Sequence, residues 1–142
     1  SMSGADPSKA APDGTTPLIS ASAAGTADVV QALCSARADV DAAAQDGDTA
    51  LTVAATQGTL GVVRVLIEFR ASKDKSGPKE GTPLYHASQN GHTTVVRFLC
   101  SSKADARRPA QYGTTALHAA CAGGFQDIVR LLCKARAAVD YE

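Results

Sequence analysis

Apolar and small residues recur along the chain in a fixed two-part figure. Leu18, Ala21 and Ser22 stand three and four apart, the spacing that puts side chains on one face of a helix. Beyond Gly25 a second set with the same spacing follows in Val29, Val30, Leu33 and Cys34. A polar link with Asp46-Gly47 signals a turn, and the figure starts again. Its second set returns as Val62, Val63, Leu66 and Ile67, then Val95, Val96, Leu99 and Cys100, then Ile128, Val129, Leu132 and Cys133. Each copy predicts a helix, a loop, a second helix and a turn. Thr16-Pro17 and Thr82-Pro83 mark where the first helix starts, because threonine caps free amides and proline suits the first helical position. Gly25 marks where it ends, since a left-handed cap costs glycine almost nothing. The longer outer helices are expected over 27–37, 60–70, 93–103 and 126–136.

The figure has a period of 33 residues without insertion or deletion: Thr115, Leu117, Ala120, Gly124, Val129, Leu132 and Ala137 each recur in all four copies. Such self-similarity is the signature of a stacked array, in which a unit too small to bury its own apolar face builds its core with its neighbours. The copies run 13–45, 46–78, 79–111 and 112–142, after a tail at 1–12. Ser1-Met2 reads as a remnant of tag cleavage, and Gly4-Ala5-Asp6, in register with Arg37-Ala38-Asp39, as the end of a preceding copy. Ala137–Glu142 is expected to begin another connection, so the chain reads as a piece of a longer array, with a native terminus frayed at its ends as the alternative.

The copies carry the cores T-P-L-I-S-A, T-A-L-T-V-A, T-P-L-Y-H-A and T-A-L-H-A-A. On these residues the chain over 13–142 resembles the ankyrin repeat family. The resemblance implies an all-α repeat solenoid of antiparallel helix pairs, with β-hairpin-like fingers projecting at right angles. It also implies a non-catalytic module that binds a partner protein or peptide on a concave surface of fingertips and first helices. The family braces its turn with a Thr–His pair, which carries over to Thr115 and His118 alone; Ile19, Thr52 and Tyr85 replace the histidine elsewhere. Where the family has glycine after the outer helix, this chain has Arg37, Arg70, Lys103 and Arg136. A left-handed non-glycine cap costs about 1 kcal/mol, and a cation at a helix C-terminus recovers about 0.3–1 kcal/mol.

Composition narrows the functions further. Lys plus Arg equals Asp plus Glu, so no overall charge draws the chain to nucleic acid or an anionic membrane. No apolar run approaches the roughly 20 residues of a membrane span. Cys34, Cys100 and Cys133 share one column with Ile67 and read as core filler, which fits an intracellular setting, cytoplasmic or nuclear. His118 and Cys121 lie three apart, but Cys121 takes the small-residue slot of Ser22, Ala55 and Ser88, and no third orienting group is evident. His86 and His92 lack further ligands, so neither a metal nor a cofactor is expected.

Charge is uneven within the copies. The outer helices hold a net +5 and the rest of the chain −5, with Arg64, Arg97 and Arg130 in one column. That ladder reads as a solvated helix face or as a docking strip for an acidic partner. Without interleaved aromatics, nucleic acid is not an expected ligand. The resemblance places partner contacts at Gln45, Asp46, Asp48, Thr56 and Gln57, at Pro78, Lys79, Gln89 and Asn90, and at Gln111, Tyr112 and Thr114. Tyr112 is the one aromatic at a fingertip, poised either to meet a partner or to fold over its own hairpin. The chain is thus expected to be an interaction module or scaffold. A spacer within a longer array and a substrate-recruiting domain of an enzyme remain open alternatives. Apolar flanks on the first and last copies predict weak end-to-end self-association.

Overall fold

The computed structural model describes residues 9–77 and 81–140, with the backbone alone for 137–140. Four helix pairs follow one another: α1 (Pro17–Ala24) with α2 (Ala27–Ser35), α3 (Ala50–Gln57) with α4 (Leu60–Glu68), α5 (Pro83–Gln89) with α6 (Thr93–Ser101), and α7 (Ala116–Gly123) with α8 (Gln126–Asp140). The first helices form an inner layer in which α1, α3, α5 and α7 each touch the next, and the second helices form an outer layer. The architecture is an all-α repeat stack, and the described residues contain no strand.

The local signals act as the sequence predicts. Thr16, Thr49, Thr82 and Thr115 each accept a hydrogen bond from the amide three residues on. Gly25, Gly58, Gly91 and Gly124 all take a positive φ where the first helix ends. After the outer helices Arg37, Arg70 and Lys103 stand at φ 69, 66 and 68, and the amides of Ala38, Ala71 and Ala104 reach back to the carbonyls of Leu33, Leu66 and Leu99. That is a Schellman closure made without glycine.

The core is continuous between copies. Val62, Val63, Leu66, Val95, Val96, Leu99, Ile128 and Leu132 are all 0% exposed, and burying each such side chain contributes about 1.5–3 kcal/mol. The position of Val29 shows who supplies the cover. Val62, Val95 and Ile128 take that position in later copies and are sealed, whereas Val29 is 48% exposed with no copy packed before it among the described residues.

Three expectations need correction. Arg136 is not a left-handed cap, because α8 continues to Asp140, and the connection expected from Ala137 is helical as far as it is described. Earlier copies turn where the Asp39 or Asp105 carboxylate accepts the amide of Asp41 or Arg107, and the fourth copy has Ala138 there. Asp41 and Asp74 also receive the amides of Ser72 and Asp105 at 2.8 Å, while the next member of that column is Arg107, which has no carboxylate to offer. Cys133 is exposed rather than core, as is Cys121; their counterparts Cys34, Ser22, Ala55 and Ser88 are buried. Finally, the Thr–His brace is not alone. Thr49 and Thr52 form the same reciprocal box, with Thr52 Oγ1 accepting from the Thr49 amide at 2.7 Å.

Candidate functional site: the concave face and fingers

Each finger is closed by one recurring backbone bond. The amides of Ala11, Ala44, Gly77 and Ala110 donate to the carbonyls of Thr15, Asp48, Gly81 and Thr114. One such bond makes a hairpin without forming a strand. The first two tips are held by carboxylates, as Asp13 accepts from the Thr15 amide and Asp46 from the Asp48 amide, each at 3.0 Å. The bond from the Thr15 amide holds the Asp13 carboxyl below its usual range. The fourth tip is built differently. Gln111–Gly113 forms a single turn, with Tyr112 at φ 65 and Gly113 at φ 74. A non-glycine residue in that region costs about 1–2 kcal/mol.

The expected contact residues divide into exposed and committed ones. Tyr112 is 92% exposed, so its ring does not fold over its own hairpin. Asp46, Gln57, Gln89 and Gln111 are also exposed. Thr56 is exposed, but its hydroxyl donates to the Thr52 carbonyl at 2.7 Å. Gln45 is exposed yet bridges two fingers, with Nε2 donating to the Pro12 carbonyl at 3.1 Å. Asn90 caps α5 by donating to the His86 carbonyl at 2.8 Å. Asp48 is half-buried and accepts from the Thr52 hydroxyl at 3.0 Å; burial pushes its carboxyl up, and that hydrogen bond pulls it back. Thr114 is half-buried and donates to the Gln111 carbonyl. Pro78 and Lys79 lie outside the described residues.

Between α5 and α7 these surfaces enclose a groove. It is lined by Tyr85 and Gln89 of α5, by Thr114 just before α7, and by His118, Ala119, Ala122 and Gly123 of α7. Tyr112 stands two residues before Thr114, in the single turn Gln111–Gly113. Sequence reasoning missed Tyr85 and His118 as lining residues, because both sit in the motif column assigned to bracing. His118 Nδ1 accepts from the Thr115 amide at 3.0 Å, which leaves the proton on Nε2. His92 spans two copies, donating from Nε2 to the Thr56 carbonyl at 2.8 Å. The chemistry on offer is recognition, by small side chains, an amide and a phenol lining the groove.

A family model described as ankyrin repeats (3 copies) matches residues 1–77 and again residues 70–142. No curated protein matches the chain.

Proposed function

Since the chain belongs to the ankyrin repeat family, whose repeats generally mediate protein–protein interaction and are generally non-catalytic, we propose that it is a binding module for a partner protein or peptide. Its recognition surface is the concave groove between α5 and α7 together with the adjoining fingertips. Tyr112 carries this reading: a phenol ring 92% exposed and held on a left-handed backbone. Strain of this kind persists where surrounding structure enforces it, and it clusters at binding sites. Tyrosine is also over-represented among interface hot spots. Gln89, Gln111 and Thr114 supply polar contacts around it, and Asp46 and Gln57 extend the surface toward the second finger.

The proposed setting is intracellular, which suits four free thiols; no described helix is long and apolar enough to cross a membrane. The exposed Val29 on the leading flank and the exposed Cys121 on the trailing flank also favour weak end-to-end stacking of the chain on itself. The test is affinity capture followed by calorimetry on the recovered partner. Tyr112→Ala should weaken binding by roughly thirtyfold, the loss of one hot spot, and Gln89→Ala by less. Unchanged affinity in both variants removes this surface, and recovery of no specific partner favours the spacer reading.

A further inference from the structure

The layer of second helices carries a second groove, away from the fingers. It runs between α6 and α8 and is lined by Arg97, Asp127, Arg130, Leu131, Cys133 and Lys134. One copy earlier, between α4 and α6, the groove is lined by Leu60, Thr94, Arg97, Phe98 and Ser101. At equivalent positions Phe98 becomes Leu131 and Ser101 becomes Lys134. These changes alter what the cations do. In the earlier groove the Arg64 guanidinium lies 5.7 Å from the centroid of the Phe98 ring, within cation–π range. In the later groove Arg97 takes the place of Arg64, and Leu131 offers it no ring. Among the described residues neither Arg97 nor Lys134 has a carboxylate within ion-pair distance, and Asp127 pairs with Arg130 at 3.6 Å. That pair is 74% and 72% exposed, so it holds Arg130 only weakly.

We propose that the α6–α8 groove docks an acidic peptide segment whose bulky apolar residue covers Leu131 while flanking carboxylates pair with Arg97 and Lys134. Charge complementarity selects this occupant. The outer helices carry a net +5, and the groove lining holds three bases against one acid. Arginine's planar fork matches a carboxylate in two parallel hydrogen bonds. The apolar part of the lining favours a peptide over a phosphate backbone, because Leu131 offers phosphate no donor but can be covered by an apolar side chain. This surface is separate from the concave groove, so the two readings fail independently.

The test is fluorescence anisotropy of the full chain with a labelled peptide in which glutamates flank two leucines. A glutamine analogue and a labelled single-stranded oligonucleotide run beside it. The glutamate peptide alone should bind saturably, more weakly as salt rises. Arg97→Glu and Lys134→Glu, both at exposed side chains, should each cost roughly tenfold or more, as rim charges shift encounter and register. Tyr112→Ala should leave this binding unchanged, and circular dichroism should show all variants folded. Absence of saturable binding, equal binding of the glutamine analogue, tighter oligonucleotide binding, or insensitivity to both charge reversals overturns the proposal.

Discussion

Replacing Gly91 by alanine weighs the contact between copies, because Gly124 offers the same change without that contact. Both glycines are left-handed, at φ +75 and +73, so each alanine costs about 1 kcal/mol for its backbone alone. A Cβ on Gly124 meets nothing within 4 Å. A Cβ on Gly91 lies 2.8 Å from Cε1 and 2.9 Å from Cζ of Phe125, which enters the next copy's outer helix. That ring packs against the core, so displacing it adds about 1–3 kcal/mol of overpacking. Gly91→Ala should therefore lose about 2–4 kcal/mol and Gly124→Ala about 1 kcal/mol. The assay is urea unfolding followed by far-UV circular dichroism, since the chain has no tryptophan. In the Phe125→Ala background, Gly91→Ala should cost only its backbone share, giving a coupling of about 1–3 kcal/mol in the double-mutant cycle. Equal losses at the two glycines, or no coupling to Phe125, would refute the seating of each helix entry on the glycine of the copy before.

Tyr112→Asn should stabilise the chain by about 0.5–1 kcal/mol, because asparagine tolerates φ 65 better, while partner affinity falls; thermal unfolding and calorimetry read the two effects. Thr52→Ala should cost about 1–2 kcal/mol in urea unfolding, since it removes the acceptor for the Thr49 amide and the donor to Asp48. In thiol labelling at mildly alkaline pH, Cys121 and Cys133 should react quickly because they are exposed. Cys34 and Cys100 should lag, because burial raises both thiols, Cys100 to about 11, and so lowers their thiolate fraction. Four equally fast thiols in the folded chain would contradict this placement.

Helix pairs, caps and glycine turns were legible because each rests on a residue type at a fixed place in the period. The misses have physical reasons. The run of α8 beyond Arg136 depends on Ala138 and Arg107, two departures from columns otherwise suited to turning the chain; comparing those columns would have found it. The Thr49–Thr52 box was hidden because a hydroxyl and an imidazole nitrogen look unlike in sequence, yet both accept from a cap amide. Exposure of Cys121 and Cys133 depends on what packs beside the copy, which no residue within it states. The bridge from Gln45 to Pro12 joins two fingers and has no counterpart in local spacing. For the candidate site, the sequence marked Tyr112 as singular but left its ring's direction open.

The central claim is that each copy completes its neighbour's core, and one column of valines measures it. Val→Ala removes two methyl groups, worth about 0.8 kcal/mol each before any cavity cost. At Val62 and Val95, both 0% exposed, urea unfolding should show a loss of about 2 kcal/mol. At Val29, 48% exposed, the loss should stay under about 1 kcal/mol. Equal losses at all three positions would mean that burial is set within each copy, contradicting the stack.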